Sequence, residues 1–413
     1  CIIHINIITY NGVKMKETRG NRLHITFLGK MNTGKSSLIN RLFGREISIV
    51  SDFAGTTTDV NQKAMELLPL GPVCLLDTAG LDDEGELGSK RVEKTLQTLD
   101  RTDIALVVFD NGGIKDCDIA LFKELKSRKI PVISIVNKTD IAMPAQKDIE
   151  TIKYNSSQIV FLSAKNDTDV ISKIKQALIL TADEEYINTP ELLEGITEKN
   201  DTAVLVIPID KEAPRGRIIL PQVQTIRHLL DNRGISVVCG VENLDYTIKN
   251  LKTAPKIVIT DSQAFKEVNE IIPQNILLTS FSIIFAKLKG DLKTFVKGAD
   301  VLDEIKNEDK ILICESCSHH PVEDDIGRVK IPNLIKKYTG KNLIFEYASG
   351  HVFPKDIEKY RLIVHCGACM TNRREVLSRI EIANSKNTAI TNYGIVIAKC
   401  LKILPRVLKP FKL

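Results

Sequence analysis

One motif constrains the fold of this chain more than any other part of the sequence. Gly29, Gly34, Lys35 and Ser36 match the pattern GxxxxGK[ST]. The motif directly follows the apolar run HITFLG and opens the helical pattern GKSSLINRLFG. Its glycines allow backbone N–H groups to surround a phosphate at a helix N-terminus. The sequence therefore predicts a phosphate-binding loop between a strand and a helix.

The side chains of this loop have distinct expected roles. We expect Lys35 to reach the β- and γ-phosphates of a nucleotide and Ser36 to bind Mg²⁺. The loop residues that we expect to bind the nucleotide are Asn32, Thr33, Gly34, Lys35, Ser36 and Ser37.

Two downstream motifs suit the magnesium ion and the γ-phosphate. Residues 55–59, GTTTD, form a loop in which a threonine hydroxyl can complete the Mg²⁺ shell. Asp77 ends a strand and can hold Mg²⁺ through water. The N–H of Gly80, three residues on, can sense the γ-phosphate. The residues predicted to act in catalysis are Lys35, Thr57, Asp77 and Gly80.

Two further motifs are suited to bind the base of the nucleotide. Each follows an apolar strand, and the residues predicted to bind there are Asn137, Lys138, Asp140, Ser163, Ala164 and Lys165. The Asp140 carboxylate can accept hydrogen bonds from N1 and N2 of guanine, whereas adenine has no such donors. The sequence therefore predicts a site for GTP, not ATP.

The whole chain has an α/β pattern. Short apolar strands alternate with helical stretches, which is typical of a parallel sheet covered by helices on both faces. An acidic stretch near 182–201 interrupts the pattern. We predict three α/β domains, at 20–182, 190–275 and 277–413. We expect Met15 to be the natural start and the residues before it to carry no function, the alternative being an extra edge strand there.

The nucleotide motifs resemble those of the Era-like and tRNA-modifying GTPases, which have a Ras-like fold. The shared features are the asparagine at Asn32 and the Gly-Thr-Thr of residues 55–57. By this resemblance Thr57 is the Mg²⁺ ligand, with Thr56 the alternative. The water-positioning glutamine of Ras-like enzymes is replaced by Leu81, so we expect slow hydrolysis. Because related enzymes with this asparagine bind K⁺ beside the phosphates, we expect Asn32 to help hold an activating K⁺.

The C-terminal third contains a cluster of metal-ligand residue types. Four of the seven histidines and four of the nine cysteines lie within 56 residues. The core is Cys317 and His319, then 45 residues, then His365, Cys366 and Cys369. Three thiolates plus a histidine, either His319 or His365, would complete a tetrahedral zinc site. Three thiolates with an exchangeable fourth position would instead suit a 4Fe–4S cluster.

The spacing leaves both metals open, but it favours some cysteines over others. Cys317, Cys366 and Cys369 follow the ends of predicted strands, where parallel sheets place their ligand crevice. Cys314 lies inside a strand and is expected to be a core residue.

A GTPase motif set followed by CxH and then HCxxC resembles the HydF family, the GTPases that mature FeFe-hydrogenase. The runs APRGRIILPQVQTIR and TNYGIVIAKC are also similar to that family. The resemblance implies a 4Fe–4S cluster on Cys317, Cys366 and Cys369, with His319 or another group at the labile position. It also implies that the middle domain dimerises, so that the chain forms a homodimer or a higher homo-oligomer.

The resemblance implies a scaffold or carrier role as well. The protein would receive a diiron subcluster made with two radical-SAM maturases and deliver it to apo FeFe-hydrogenase, while GTP turnover gates these interactions. The chain has no CxxxCxxC motif, so we do not expect it to perform radical chemistry itself.

The composition disfavours two other functional classes, nucleic-acid-binding proteins and membrane proteins. A net charge of +5, aromatic residues at 5% and the absence of tryptophan disfavour a nucleic-acid partner. No apolar run reaches the ~18 residues that a membrane span needs, and we expect a cytoplasmic protein. One alternative is a GTPase with a structural zinc domain that acts in RNA modification or ribosome assembly. Another is a redox enzyme whose cluster transfers electrons.

Overall fold

The structure is a computed structural model that describes residues 22–43, 61–68, 70–80, 86–182, 191–209, 218–316, 325–351, 353–369 and 371–413. It divides into two compact units. The first comprises Cys1–Thr95 and Asp103–Thr189, and the second comprises Leu96–Thr102 and Pro190–Leu413.

The first unit contains a sheet of six strands. Its elements, in chain order, are β1 (Leu23–Leu28), α1 (Lys35–Phe43), β2 (Asn61–Leu67), β3 (Gly71–Asp77), α2 (Glu86–Thr98), β4 (Ile104–Phe109), α3 (Asp116–Ser127), β5 (Val132–Val136), α4 (Gln146–Tyr154), β6 (Gln158–Phe161) and α5 (Val170–Thr181). The strand order is β2-β3-β1-β4-β5-β6, and β2 alone pairs antiparallel. Phe27, Leu106 and Ile135 in the middle of this sheet are fully buried, as continuous apolar strands predict.

The second unit begins with a four-stranded parallel sheet. Its elements are β7 (Thr202–Val206), α6 (Leu220–Asp231), β8 (Ile235–Cys239), α7 (Leu244–Asn250), β9 (Ile257–Thr260), α8 (Phe265–Ile271), β10 (Leu277–Ser280) and α9 (Phe281–Lys289). The strand order is β10-β9-β7-β8.

A second parallel sheet of four strands follows. Its elements are α10 (Leu292–Asp300), β11 (Lys310–Glu315), α11 (Ile331–Thr339), β12 (Ile344–Ser349), β13 (Leu362–His365), α12 (Arg373–Ser385), β14 (Ala389–Asn392), α13 (Tyr393–Cys400) and α14 (Leu404–Leu408). The strand order is β12-β11-β13-β14.

The two C-terminal sheets share one hydrophobic core. Val204 and Val258 of the earlier sheet belong to the same buried cluster as Ile313 and Val364 of the later one. Helix α9, FSIIFAKLK, has apolar side chains on all sides, which is typical of a buried helix.

The predicted α/β architecture is confirmed, while the three domain ranges remain a prediction. We ended the second domain at 275, whereas Leu277–Ser280 pairs with Ile257–Thr260 as the edge strand of the second sheet. The proline and polar residues at 273–275 look like a linker in the sequence, yet they form a turn between α8 and β10. Among the described residues, no helix is both long and apolar enough to cross a membrane.

Candidate functional site

The phosphate-binding loop connects β1 to α1, as predicted. Gly29 has φ +135°, and a Cβ there would lie 2.4 Å from the Val108 carbonyl oxygen. Gly34 has φ +99°, and a Cβ there would lie 2.2 Å from Nδ2 of Asn137. Both positions therefore require glycine, for backbone conformation and for space.

The lysine of this loop is held inside it. Lys35 is 7% exposed, and its Nζ donates hydrogen bonds to the carbonyl oxygens of Gly29 at 2.9 Å and Lys30 at 2.6 Å. Thr33 Oγ1 also donates to the Lys30 carbonyl, at 3.0 Å. The loop is thus folded around the ammonium group that the sequence predicts to contact phosphate.

The two predicted Mg²⁺ groups face each other. Ser36 Oγ donates to Oδ2 of Asp77 at 3.2 Å. Burial raises the pKa of Asp77, while the Ser36 hydrogen bond and the charges of Lys35 and Lys63 oppose the rise. Gly80 is buried in the segment after β3. Thr56, Thr57 and Leu81 lie outside the described residues.

Asn137 joins the phosphate loop to the base-binding segments. Its Nδ2 donates to the Thr33 carbonyl at 2.8 Å, and its Oδ1 accepts from the Ala164 N–H at 2.9 Å. Arg41 fixes the second segment by donating to the carbonyl oxygens of Ala164 and Asp167, each at 2.6 Å. One buried amide therefore sets the distance between the two ends of the site.

A cavity of about 590 Å³ lies between these segments. Its size is within the range of small-molecule sites. Its lining consists of Asn32, Gly34, Lys35, Ser36, Ser37, Asn137, Lys138, Asp140, Ile141, Ser163, Ala164 and Lys165. The structure therefore brings the predicted phosphate and base residues together around one space. Within that space, Asp140 Oδ2 accepts from Nδ2 of Asn166 at 2.9 Å.

The second candidate site lies at the ends of β11 and β13. The Ser316 N–H donates to Sγ of Cys366 at 3.2 Å, and this thiol in turn donates to Ser316 Oγ at 3.2 Å. Cys317 is the next residue after Ser316, and consecutive Cα atoms are ~3.8 Å apart. Cys317 and His319 themselves lie outside the described residues.

His365 uses both ring nitrogens within the fold. Nη1 of Arg379 lies 2.9 Å from Nε2 of His365. Because a guanidinium has no acceptor, Arg379 must be the donor in this hydrogen bond. Nδ1 of His365 lies 2.9 Å from the Cys366 carbonyl and carries the proton. His365 is 1% exposed, so it orients the cysteine loop and has no nitrogen free for a metal.

A buried charged pair supports this histidine. Arg379 Nη2 donates to Glu375 Oε1 at 2.6 Å, and both side chains are 4% exposed. Glu375 also contacts Nδ1 of His351 at 3.0 Å. Burial acts to raise the pKa of Glu375, but the His351 hydrogen bond and the charge of Arg379 outweigh it and lower that pKa.

The cysteines differ in their readiness to ionise. Burial opposes ionisation of Cys366, but the neighbouring His365 and the hydrogen bond to Ser316 lower its pKa to about 6. Burial raises the pKa of Cys314 to about 12, and that residue is 1% exposed. Cys366 is therefore suited to bind metal as a thiolate, while Cys314 is a core residue, as expected.

The described residues contain no group of three histidine, cysteine or carboxylate side chains placed to hold a metal ion. Two of the predicted ligands, Cys317 and His319, are not among the described residues. Lys289, Arg379 and Glu375 were missed from the sequence. The one available signal was a lysine at the end of the mostly apolar helix α9.

Three features occur together on a sheet with one antiparallel strand: the phosphate loop after β1, the Ser36–Asp77 pair, and the base site at the ends of β5 and β6. They define a Ras-like P-loop GTPase domain. Residues 24–138 match the family model of the 50S ribosome-binding GTPase.

The remaining residues identify the family. Residues 192–290 match the hydrogen maturase F dimerization domain, and residues 293–410 match the hydrogen maturase F tetramerization domain. Together these two models match more than half of the chain. The chain belongs to the hydrogen maturase F family, which confirms the resemblance to HydF.

Curated relatives are similar to part of the chain. The tRNA modification GTPase MnmE of Caldicellulosiruptor saccharolyticus is 34% identical over 161 residues, 38% of this chain and 34% of that protein. The GTPase Der of Campylobacter concisus is 36% identical over 148 residues, 35% of this chain and 32% of that protein. The chain thus spans about a third of the length of these relatives.

Solved structures give weaker matches. Era of Aquifex aeolicus, in a structure bound to GDP.AlF4-, is 20% identical with a TM-score of 0.33, covering 53% of this chain and 93% of that one. The G domain of T. maritima FeoB is 23% identical with a TM-score of 0.30, covering 39% of this chain and 99% of that one.

The Glu375–Arg379 pair predicts a pH-dependent stability. Glu375→Gln should lower the free energy of unfolding by about 3–5 kcal/mol near neutral pH, because it leaves Arg379 buried without its counter-charge. Since the folded-state pKa lies below the ordinary value of 4.5, this difference is fully present above pH 4.5 and is lost as the pH falls through the lower folded-state pKa. Urea unfolding at a series of pH values measures it.

Glu381→Gln is the matched control, because Glu381 is an exposed carboxylate on the same helix. Its effect should be small at every pH. A loss for Glu375→Gln that stays constant from pH 7 down to the acid limit of folding would contradict the assigned pair.

Proposed function

We propose that this chain is a GTPase that serves as scaffold and carrier in FeFe-hydrogenase maturation. It binds a 4Fe–4S cluster and delivers the diiron subcluster to the apo-hydrogenase. One observation carries the proposal. A single chain of the hydrogen maturase F family has both a cavity lined by the GTP motifs and a cysteine loop in which the Ser316 N–H donates to the Cys366 sulfur.

Different residues of the site bind different parts of GTP and its Mg²⁺ ion. Asp140 accepts from the guanine base, and Lys35 neutralises the β- and γ-phosphates. Ser36 and Thr57 bind Mg²⁺ directly, with Thr56 the alternative to Thr57, while Asp77 holds the ion through water. Because Asn137 bonds both Thr33 and Ala164, placement of the base fixes the phosphate loop.

Asp140→Asn should reverse part of the base preference. An amide places a donor against the guanine N–H groups, so affinity for GTP should fall by about 10–100-fold. Affinity for xanthosine triphosphate, which offers an oxygen at position 2, should rise. Fluorescence titration with labelled nucleotides measures both, and Asp148→Asn, a carboxylate outside the cavity lining, is the control. An unchanged preference for GTP would contradict the role of Asp140.

Hydrolysis is slow and depends on potassium. With leucine at position 81 no glutamine positions the water, and Asn32, which lines the cavity with φ +59°, helps hold K⁺ beside the phosphates. Replacing KCl by NaCl at equal ionic strength should lower the rate several-fold, and Asn32→Ala should remove the difference between the salts. Equal rates of phosphate release in both salts for the wild type would end this proposal.

The cysteine loop fits a 4Fe–4S cluster. Cys317, Cys366 and Cys369 would hold it, with His319 or another group at the fourth iron. When bound, such a cluster offers an iron position open to exchange of its ligand. The chain contributes an N–H of Ser316 aimed at the Cys366 sulfur, which stabilises thiolate charge.

Membership of the family supports the proposed assembly and partners. The two C-terminal domains are homologous to dimerization and tetramerization domains, which supports a homo-oligomer. Radical-SAM maturases supply the diiron subcluster, and apo FeFe-hydrogenase receives it. GTP turnover in the cytoplasm gates these encounters and performs no cluster chemistry.

Cys366→Ser should abolish cluster assembly. Anaerobic reconstitution with iron and sulfide should give the wild type an absorbance near 400 nm and an EPR signal after reduction, and the variant neither. Cys400→Ser is the control, because burial raises the pKa of that thiol to about 12. Wild-type protein that binds zinc tightly and takes up no cluster would instead support the alternative of a GTPase with a structural zinc domain.

A further inference from the structure

Lys289, the last residue of helix α9, reaches the loop that carries Cys369. Its Nζ donates to the carbonyl oxygens of Ala368 at 2.7 Å, Cys369 at 3.3 Å and Thr371 at 2.6 Å. These carbonyls flank the cysteine on both sides. One ammonium group therefore fixes the path of the loop.

This ammonium is a buried charge. Lys289 is 1% exposed, and its Nζ is hydrogen-bonded to backbone carbonyl oxygens. Its other neighbour is the ring of Phe285, at 5.5 Å. Burial lowers the pKa of Lys289 to about 8, while the nearby thiols of Cys369 and Cys366 and the carboxylate of Glu375 act to raise it. The three carbonyl oxygens of the cysteine loop satisfy the donors of this buried ammonium group, so its position is fixed against the loop.

The same helix holds the loop at a second point. Ser282 Oγ donates to Oδ1 of Asn392 at 2.9 Å, and Nδ2 of Asn392 donates to the Cys366 carbonyl at 3.2 Å. Helix α9 belongs to residues 192–290, matched by the dimerization domain, whereas both cysteines belong to residues 293–410. The cysteine loop is thus held by the neighbouring domain.

We propose that Lys289 is a positioning residue of the iron–sulfur site, which holds the cysteine loop and supplies a fixed counter-charge to the thiolate-ligated cluster. This inference rests on the proposed function. A cluster on cysteine thiolates is anionic and gains one more negative charge on reduction, so a fixed cation favours the reduced state.

The test compares reconstituted wild-type protein with two variants. Lys289→Gln keeps two N–H donors but removes the charge, whereas Lys289→Arg keeps the charge. Iron per chain is measured first, and the midpoint potential is then measured by EPR during titration with dithionite as the one-electron donor. Lys289→Gln should shift the reduction equilibrium at least tenfold towards the oxidised cluster, which is about 59 mV in potential. Lys289→Arg should recover most of this shift.

Lys287→Gln is the matched control, because Lys287 lies on the same helix but donates to the Glu194 carbonyl. It should leave the potential unchanged. If circular dichroism shows that Lys289→Gln does not fold, Lys289→Met replaces it and is judged by the same potential.

A folded Lys289→Gln protein that loses iron, with recovery in Lys289→Arg, also supports the proposal. Wild-type iron content and potential in Lys289→Gln would overturn it, as would a loss of iron that Lys289→Arg does not recover. Wild-type protein that forms no cluster would overturn the proposed function itself, which separates the two failures.

Discussion

Parallel strand pairing is the constraint on which both candidate sites depend. Residues far apart in sequence meet because the carboxyl ends of parallel strands share one edge of a sheet. In the first sheet, the pairing of Phe27 with Asp77 places that carboxylate beside Ser36, in the first turn of α1. In the last sheet, the pairing of Cys314 with His365 places Ser316 against the Cys366 sulfur. A slip of one residue in either register would separate the groups.

Buried polar side chains then hold the loops that the strands position. Asn137 connects the two ends of the nucleotide cavity through its amide, and Lys289 and Arg379 hold the cysteine loop and its histidine from other elements. Each of these groups is costly to bury without partners, so each loop has one favoured path. The nucleotide and cysteine sites therefore share a design in which a rigid sheet edge carries loops fixed by single polar residues.

The sequence was most informative about site residues that lie within short continuous motifs. Glycines at 29 and 34 and the asparagine at 137 lie in short motifs whose order along alternating strands and helices predicts a common edge, and the cavity has this arrangement. Lys289 could not be predicted, because its role arises from packing between elements about 80 residues apart in sequence. Glu375 and Arg379 lie four residues apart on α12, but their burial and the contact of Arg379 with His365 depend on how that helix packs against β13. The pairing of Leu277–Ser280 with Ile257–Thr260 could not be predicted, because a four-residue apolar run after a proline does not indicate which sheet it joins.

The central claim is that one chain carries both a guanine nucleotide and an iron–sulfur cluster. The most direct test is Mössbauer spectroscopy of wild-type protein loaded anaerobically with ⁵⁷Fe and sulfide, mixed with GDP and purified by gel filtration, with the bound nucleotide and zinc measured in the same sample. The account predicts a 4Fe–4S spectrum in which one iron differs from the rest, together with bound GDP. Stoichiometric zinc with no ⁵⁷Fe cluster in a sample that still binds GDP would contradict it.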